Sequence, residues 1–263
     1  MTRDVLMEAL RSAVGTAPWI RAAWVGGSDA THRTDAWSDI DLQLVTSPSR
    51  WEDAFVLIEG CLDGLGGIAH RVDFGERERG AYCQRFYRAV GAPEHLMVDL
   101  CVMHPERLGP HLDPDRHGDS VIWHDADGLL TPRADRGVAH AMMVRHADLE
   151  AKTPMFAHLA AKALRRGLLI EAHTMYRRVL LSPLVEALRM RHCPVRWDFG
   201  FRYLPDDLPP DVVERLERLS FPVGAEGLAS CIAEARAWLE AELAEPLGDG
   251  SVDGSVDGIR PPG

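Results

Sequence analysis

Two aspartates stand out because their spacing brings like charges together. Asp39 and Asp41 flank one apolar residue in segment 38–42, which alternates polar and apolar side chains as a β-strand does. Side chains two residues apart on a strand point to the same face, so we expect both carboxylates on one surface and Ile40 and Leu42 in the core. Two carboxylates held this close repel each other unless a cation lies between them, and hard oxygen ligands suit Mg²⁺. The spacing therefore predicts a magnesium site.

A glycine-rich turn precedes this pair in the chain. Gly26, Gly27 and Ser28 follow the apolar run 20–25, which we interpret as a buried strand. A strand that ends in such a turn, with a short helix after it, presents backbone N–H groups and a hydroxyl. Only glycine lets a phosphate approach the backbone this closely. These three residues are therefore predicted to bind nucleotide phosphates.

A third carboxylate lies on a later predicted strand. Asp99 interrupts segment 96–102, whose other residues are all apolar. A charge in such a strand is unfavourable unless it has a partner. A strand beside Asp39 and Asp41 would make Asp99 the third acid of a two-metal site.

The order of these features resembles the nucleotidyltransferase superfamily of DNA polymerase β type. The matching residues are Gly27, Ser28, Asp39, Asp41 and Asp99, and the resemblance covers roughly the first half of the chain. It implies transfer of a nucleoside monophosphate, AMP from ATP, with two Mg²⁺ ions. In such a site Asp39 and Asp41 hold both ions. Asp99 shares one of them and is a candidate for the general base.

The second half of the chain is similar to bacterial aminoglycoside nucleotidyltransferases, especially the streptomycin adenylyltransferase group. The similarity lies in a helical domain after the catalytic one and in segments 162–176 and 194–205. It implies a small hydroxylated acceptor of the antibiotic kind, bound between the domains, where the acidic loop 113–127 is expected to help hold a cation. Lys162 and Arg166 are candidates for binding the nucleotide phosphates, against the alternative of an exposed helical face.

Periodicity predicts an α/β domain over residues 1–132, with a mixed sheet and helices on one side. A helical bundle that binds substrate follows over 133–247, and a disordered tail over 248–263, whose apolar content is low. Predicted helices of the first domain are 4–14 and 49–65, and its predicted strands are 20–25, 40–45, 70–74, 82–90 and 95–103. The bundle is predicted from helices 138–151, 155–169, 171–191, 210–219 and 226–245, with Pro154 and Pro209–Pro210 at helix starts.

Charge and composition narrow the choice of partners. The net charge of −11 lies mainly in residues 1–132, which hold 21 acidic and 12 basic side chains. An acidic surface repels phosphates, so a long DNA or RNA partner is disfavoured, whereas a cationic small molecule is favoured. No apolar run is long enough to span a bilayer, and we expect no signal peptide. Five dispersed cysteines are typical of free thiols in the cytoplasm.

Two other classes of function fit the same motif. One is a regulatory or toxin–antitoxin nucleotidyltransferase that modifies a protein or a tRNA. The other is a nucleotide-binding module without catalysis, against which the intact acidic trio argues. The sequence leaves the acceptor, the preferred nucleotide and the oligomeric state open.

Overall fold

A computed structural model describes residues 1–77, 82–135 and 137–247. The chain divides into two compact units, Met1–Asp135 and a second that begins at Arg136. The tail 248–263, predicted to be disordered, lies outside the described residues. Across the described ranges, no helix is long and apolar enough to cross a membrane.

The first unit is built on a six-stranded sheet with the order β3-β4-β5-β2-β1-β6. Its strands are β1 (Ala22–Val25), β2 (Ile40–Val45), β3 (Ile68–Arg77), β4 (Tyr82–Ala89), β5 (Val98–Met103) and β6 (Val121–Asp125). Strands β2 and β5 run parallel, and the other neighbouring pairs run antiparallel. The predicted mixed sheet is therefore confirmed.

Two helices cover one face of this sheet. Helix α1 (Arg3–Gly15) begins after Thr2, whose hydroxyl accepts a hydrogen bond from the Val5 N–H, and α3 spans Trp51–Gly64. Each helix buries an apolar stripe with helical spacing against the alternate apolar residues of the strands. The buried stripes are Leu6, Leu10 and Val14 in α1 and Ala54, Phe55, Ile58 and Leu62 in α3.

The opposite face carries the polar residues of the candidate site. A small second hydrophobic core, which includes Trp24 and Met103, covers one end of this face. The short 3-10 helices Pro105–Arg107 and Gly109–Leu112 pack over this core. The short helices of the unit are α2 (Gly27–Ala30) and α4 (Pro114–His117). The two long helices thus lie on one side of the sheet, as predicted.

The second unit is helical and has its own core, which confirms the class predicted for this part of the chain. Its helices are α5 (Gly137–Phe156), α6 (His158–Arg165), α7 (Leu169–Tyr176), α8 (Ser182–His192), α9 (Leu204–Asp207), α10 (Pro210–Ser220) and α11 (Gly224–Ala244). The hydroxyl of buried Tyr176 donates a hydrogen bond to the Leu219 carbonyl over 2.8 Å and so ties α7 to α10.

Two predictions for the helical unit were wrong in detail. Pro154 does not open a helix but lies in the last turn of α5, where it removes one bond to the carbonyl four residues back, and the helix ends two residues later. The single helix predicted over 171–191 is interrupted by a π-helical turn at Arg177–Leu181. The Ser182 N–H donates to the Arg177 carbonyl five residues back, and Pro183, which has no N–H, follows in the first turn of α8.

Candidate active site

Asp41 and Asp99 lie directly opposite each other on neighbouring parallel strands. They are register partners in the pairing of β2 with β5, so both side chains leave the same face of the sheet. Asp39 lies one residue before β2, so only Asp41 of the predicted pair lies within the strand. The structure thus brings together the two acids that the sequence separates by 57 intervening positions, because a parallel pair needs a long connection.

The carboxylate of Asp41 is packed against Gly27. Gly27 has a positive φ of 57°, and a β-carbon built on it would lie 1.7 Å from Asp41 Oδ2 and 2.7 Å from Asp41 Cγ. The Gly26 N–H also donates to the Asp41 carbonyl over 2.9 Å. Glycine is therefore required at position 27 both for its backbone conformation and for the space that the carboxylate fills.

The hydroxyl of Ser28 is buried beside this contact. It is shielded from solvent, and no described residue gives it a hydrogen-bond partner. A buried hydroxyl without a partner is unfavourable by roughly 1–3 kcal/mol, so such groups usually have a ligand or a water to bind. This orphan hydroxyl fits the predicted role of Ser28 in binding phosphate oxygens.

Gln84 holds the carboxylate of Asp99 from the neighbouring strand β4. Its Nε2 donates to both Asp99 oxygens, at 2.8 and 3.0 Å. Burial raises the pKa of Asp99 to about 6, the Gln84 hydrogen bond opposes this rise, and the negative charge of Asp39 adds to it. A carboxyl with a pKa near neutrality can accept a proton at physiological pH. Sequence reasoning missed Gln84 because nothing in segment 82–90 distinguishes it from its polar neighbours.

Arg3 joins three parts of the site and was also missed. Its guanidinium forms an ion pair with Asp29 in α2 and donates from Nε and Nη2 to the Asp39 carbonyl, at 3.2 and 3.1 Å. Helix α1 thereby fixes the start of β2 and the turn around Gly27. No signal in the sequence marks Arg3, because a basic residue in the first turn of an amphipathic helix is ordinary.

The residues present fit a divalent cation by their chemistry. Asp39, Asp41 and Asp99 offer only carboxylate oxygens, and the negative charge of Asp39 contributes to the raised pKa of Asp99. Within the residues that the structure describes, no group of three His, Cys, Asp or Glu side chains forms a ready metal site. The predicted metal ligation by all three acids stays a prediction.

The structure places Lys162 and Arg166 in the second unit. Lys162 is exposed in the last turn of α6, and Arg166 is the exposed residue that follows this helix. Contact of either side chain with a nucleotide remains a prediction.

Three acids of the loop expected to help hold a cation bond to other residues of the first unit. Asp113 accepts hydrogen bonds from the Asp115 and Asp135 N–H groups, and Asp125 accepts them from Leu129 and Leu130. Asp127 forms an ion pair with Arg21 over 2.7 Å. These contacts stabilise the segment, and the expected binding of a cation there stays a prediction.

Comparisons with known proteins add little to this geometry. No protein-family model and no curated protein matches the chain. Among solved structures it is similar to an aminoglycoside 6-adenyltransferase from Bacillus subtilis, with a TM-score of 0.34 and 12% identity over 92% of this chain and 91% of that chain. A TM-score this low carries no argument about the reaction, so the case for the site rests on its own residues.

Proposed function

We propose that the protein is a nucleotidyltransferase that transfers AMP from ATP to a hydroxyl group of a small-molecule acceptor. The observation that carries this proposal is the pairing of Asp41 with Asp99 across β2 and β5, with the Asp41 carboxylate packed on Gly27. Gly27 and the unpartnered, buried hydroxyl of Ser28 would bind phosphates. The acids beside them on one face of the sheet would bind a cation. A purely structural site has no need for this combination.

The chain's own residues would divide the reaction between them. The acceptor oxygen forms a bond to the α-phosphorus while the bond to pyrophosphate breaks, and the hydroxyl proton passes to Asp99. In the metal-free protein burial raises the pKa of Asp99 to about 6, and a positioned carboxylate of this kind can act as a general base. Gln84 would orient the Asp99 carboxylate, and Ser28 with Gly27 would hold the phosphates of the leaving pyrophosphate.

Magnesium ions would be held by Asp39, Asp41 and Asp99. When bound, they would neutralise the triphosphate and lower the pKa of the acceptor hydroxyl. Arg3 would support this arrangement indirectly, because it holds the backbone of Asp39 in place.

The test is transfer of label from α-labelled ATP, with Mg²⁺, to a panel of aminoglycosides including streptomycin, lincosamides, bulk tRNA and total protein. We expect label in a small acceptor and release of pyrophosphate. Asp41→Asn should reduce transfer at least ~10³-fold, because catalysis by such sites is mostly electrostatic. Asp63→Asn, an exposed acid on α3, is the matched control and should retain full activity.

Other results of the same assay favour the alternatives. Label in tRNA or protein, with none in a small acceptor, would indicate a regulatory or toxin-like enzyme. Nucleotide binding without pyrophosphate release from any acceptor would indicate a binding module.

A further inference from the structure

A row of four side chains crosses the sheet from the acidic pair to its edge. Asp41 is opposite Asp99, Asp99 is opposite Phe86, and Phe86 is opposite Val72. Register partners lie on the same face with β-carbons about 5 Å apart. The carboxylates of the candidate site therefore continue directly into an apolar surface on β4 and β3.

This apolar surface is open to solvent. Val72 is 52% exposed, Phe74 is 46% exposed and Met97 is 38% exposed, although all three are apolar. The rings of Phe74 and Phe86 meet edge to face, with centroids 5.3 Å apart. A cavity of about 240 Å³ lies here; its lining includes the apolar Val72, Phe86 and Met97 and the polar His70, Arg88 and Glu94. Exposed apolar residues gathered in a concave surface are typical of a ligand site.

The order of the strands assigns the two substrates to opposite sides of the acidic pair. Gly27 and Ser28 follow β1, which lies beyond Asp41, whereas Phe86 and Val72 lie beyond Asp99 on β4 and β3. A nucleotide held by its phosphates at Gly27 and Ser28 leaves the β4–β3 side free. This geometry points to the acceptor as the occupant of the apolar surface.

We propose that the surface formed by Val72, Phe74, Phe86 and Met97 binds an apolar arm or ring of the acceptor, whose hydroxyl then reaches Asp99. The inference rests on the proposed function and narrows its acceptor. A polycation is recognised by several carboxylates, whereas among the residues that the structure describes the cavity beside Asp99 is lined by one, Glu94, together with Arg88 and His70. The acceptor class is a hydroxylated molecule with a substantial apolar portion.

The test compares the double variant Val72→Gln/Met97→Gln with the wild type, using lincomycin, which carries an apolar alkyl arm, and streptomycin as acceptors. We expect wild-type protein to label lincomycin in preference. In the double variant we expect the acceptor KM to rise about tenfold. The two replacements should remove roughly 60 Å² of buried apolar contact with the acceptor. That loss corresponds to ~1.4 kcal/mol, which is a factor of ten in affinity. The kcat and the KM for ATP should stay within about twofold.

The matched control is Val121→Gln, an exposed valine on edge strand β6 that is 40% exposed, and it should leave every constant unchanged. An unchanged acceptor KM in the double variant, or preferential labelling of streptomycin, would overturn the inference while leaving the proposed function standing. A rise in the KM for ATP instead would show that the surface binds the nucleotide. Absence of transfer to every acceptor would remove the proposed function itself.

Discussion

The contact between Asp41 and Gly27 links the two predicted halves of the site at the level of single atoms. The carboxylate lies where any larger residue at position 27 would place its β-carbon. The glycine turn and the acidic strand are therefore structurally coupled, because a larger residue at position 27 would displace the Asp41 carboxylate. A glycine-rich turn that merely reverses the chain would not require this close approach.

Gly27→Ala tests this coupling. The alanine would be strained at a φ of 57° and would displace the Asp41 carboxylate, so we expect transfer activity to fall at least ~10²-fold. Gly128→Ala is the control, since Gly128 has a φ of 65° with no atom within 4 Å of an added β-carbon. Both variants should lose ~1–2 kcal/mol of stability in urea unfolding from the left-handed backbone. Equal activity in the two would show that only backbone strain matters at position 27.

Asp99→Asn should make the metal-free protein more stable at neutral pH. Burial and the charge of Asp39 raise the pKa of Asp99 from its ordinary 3.8 to about 6, so the folded state disfavours the ionised form. The resulting penalty is absent below about pH 4, grows as the pH rises to about 6 and is constant above it; its size is on the order of 3 kcal/mol.

The measurement is urea unfolding in EDTA at several pH values. The free energy of unfolding of Asp99→Asn should exceed that of the wild type, and this difference should grow between about pH 4 and 6. A difference that does not change with pH would mean that Asp99 keeps its ordinary pKa in the folded protein.

Helix α1 contacts the candidate site through one side chain, that of Arg3. Arg3 bonds Asp29 of α2 and the Asp39 carbonyl, and the ion-paired side chains are only 18% and 13% exposed. Pairs this sheltered interact more strongly than surface pairs. Removal of Arg3 would free both the turn after β1 and the residue before β2.

Arg3→Gln should therefore lower kcat several-fold and reduce stability. In a double-mutant cycle with Asp29→Asn, we expect a coupling free energy of ~1–3 kcal/mol by urea unfolding. The exposed pair Arg50–Asp53, in which both side chains are about half exposed, is the control, and its coupling should stay below ~0.5 kcal/mol. Coupling as weak for Arg3 as for Arg50 would contradict a role for α1 in fixing the site.

Some elements of the fold can be predicted from the sequence and others cannot. Strand β2 was predicted with the bounds the structure has, because one buried face imposes alternation over Ile40, Leu42 and Leu44. The π-helical turn at Arg177–Leu181 was not predicted, since one extra residue in a turn leaves the apolar pattern on both sides helical. Strand order and the support that Gln84 gives to Asp99 depend on long-range pairing, which local periodicity cannot reveal.

At the scale of the whole molecule, the chain has separate cores for its sheet and its helices. Strand residues such as Leu42 and Leu100 pack with α1 and α3, while the helical core gathers residues of α5–α8 and α10–α11. The helical unit also buries an ion pair. Arg189 donates to Asp207 over 2.7 Å, and both side chains are fully shielded from solvent.

Arg189 organises the segment between α8 and α9. It donates to the carbonyls of Gly200 and Arg196, at 2.7 and 3.1 Å, and to that of Arg202, while Arg196 forms an ion pair with the second oxygen of Asp207 over 2.7 Å. Removal of one partner from such a network leaves a buried charge uncompensated, at ~3–5 kcal/mol. The loss should appear in the unit that contains the network.

Arg189→Met should therefore speed amide hydrogen exchange across α8, α9 and the helices packed on them, and leave β2 and β5 as protected as in the wild type. Exchange is read by mass spectrometry of peptides from each unit. Arg218→Met is the control, because Arg218 is 61% exposed and pairs with Glu214 at the surface, where loss of a pair changes stability by less than ~1 kcal/mol. Equal acceleration in the strands would show that the two cores unfold as a single cooperative unit, and the acidic site would then depend on the helical packing as directly as on the sheet.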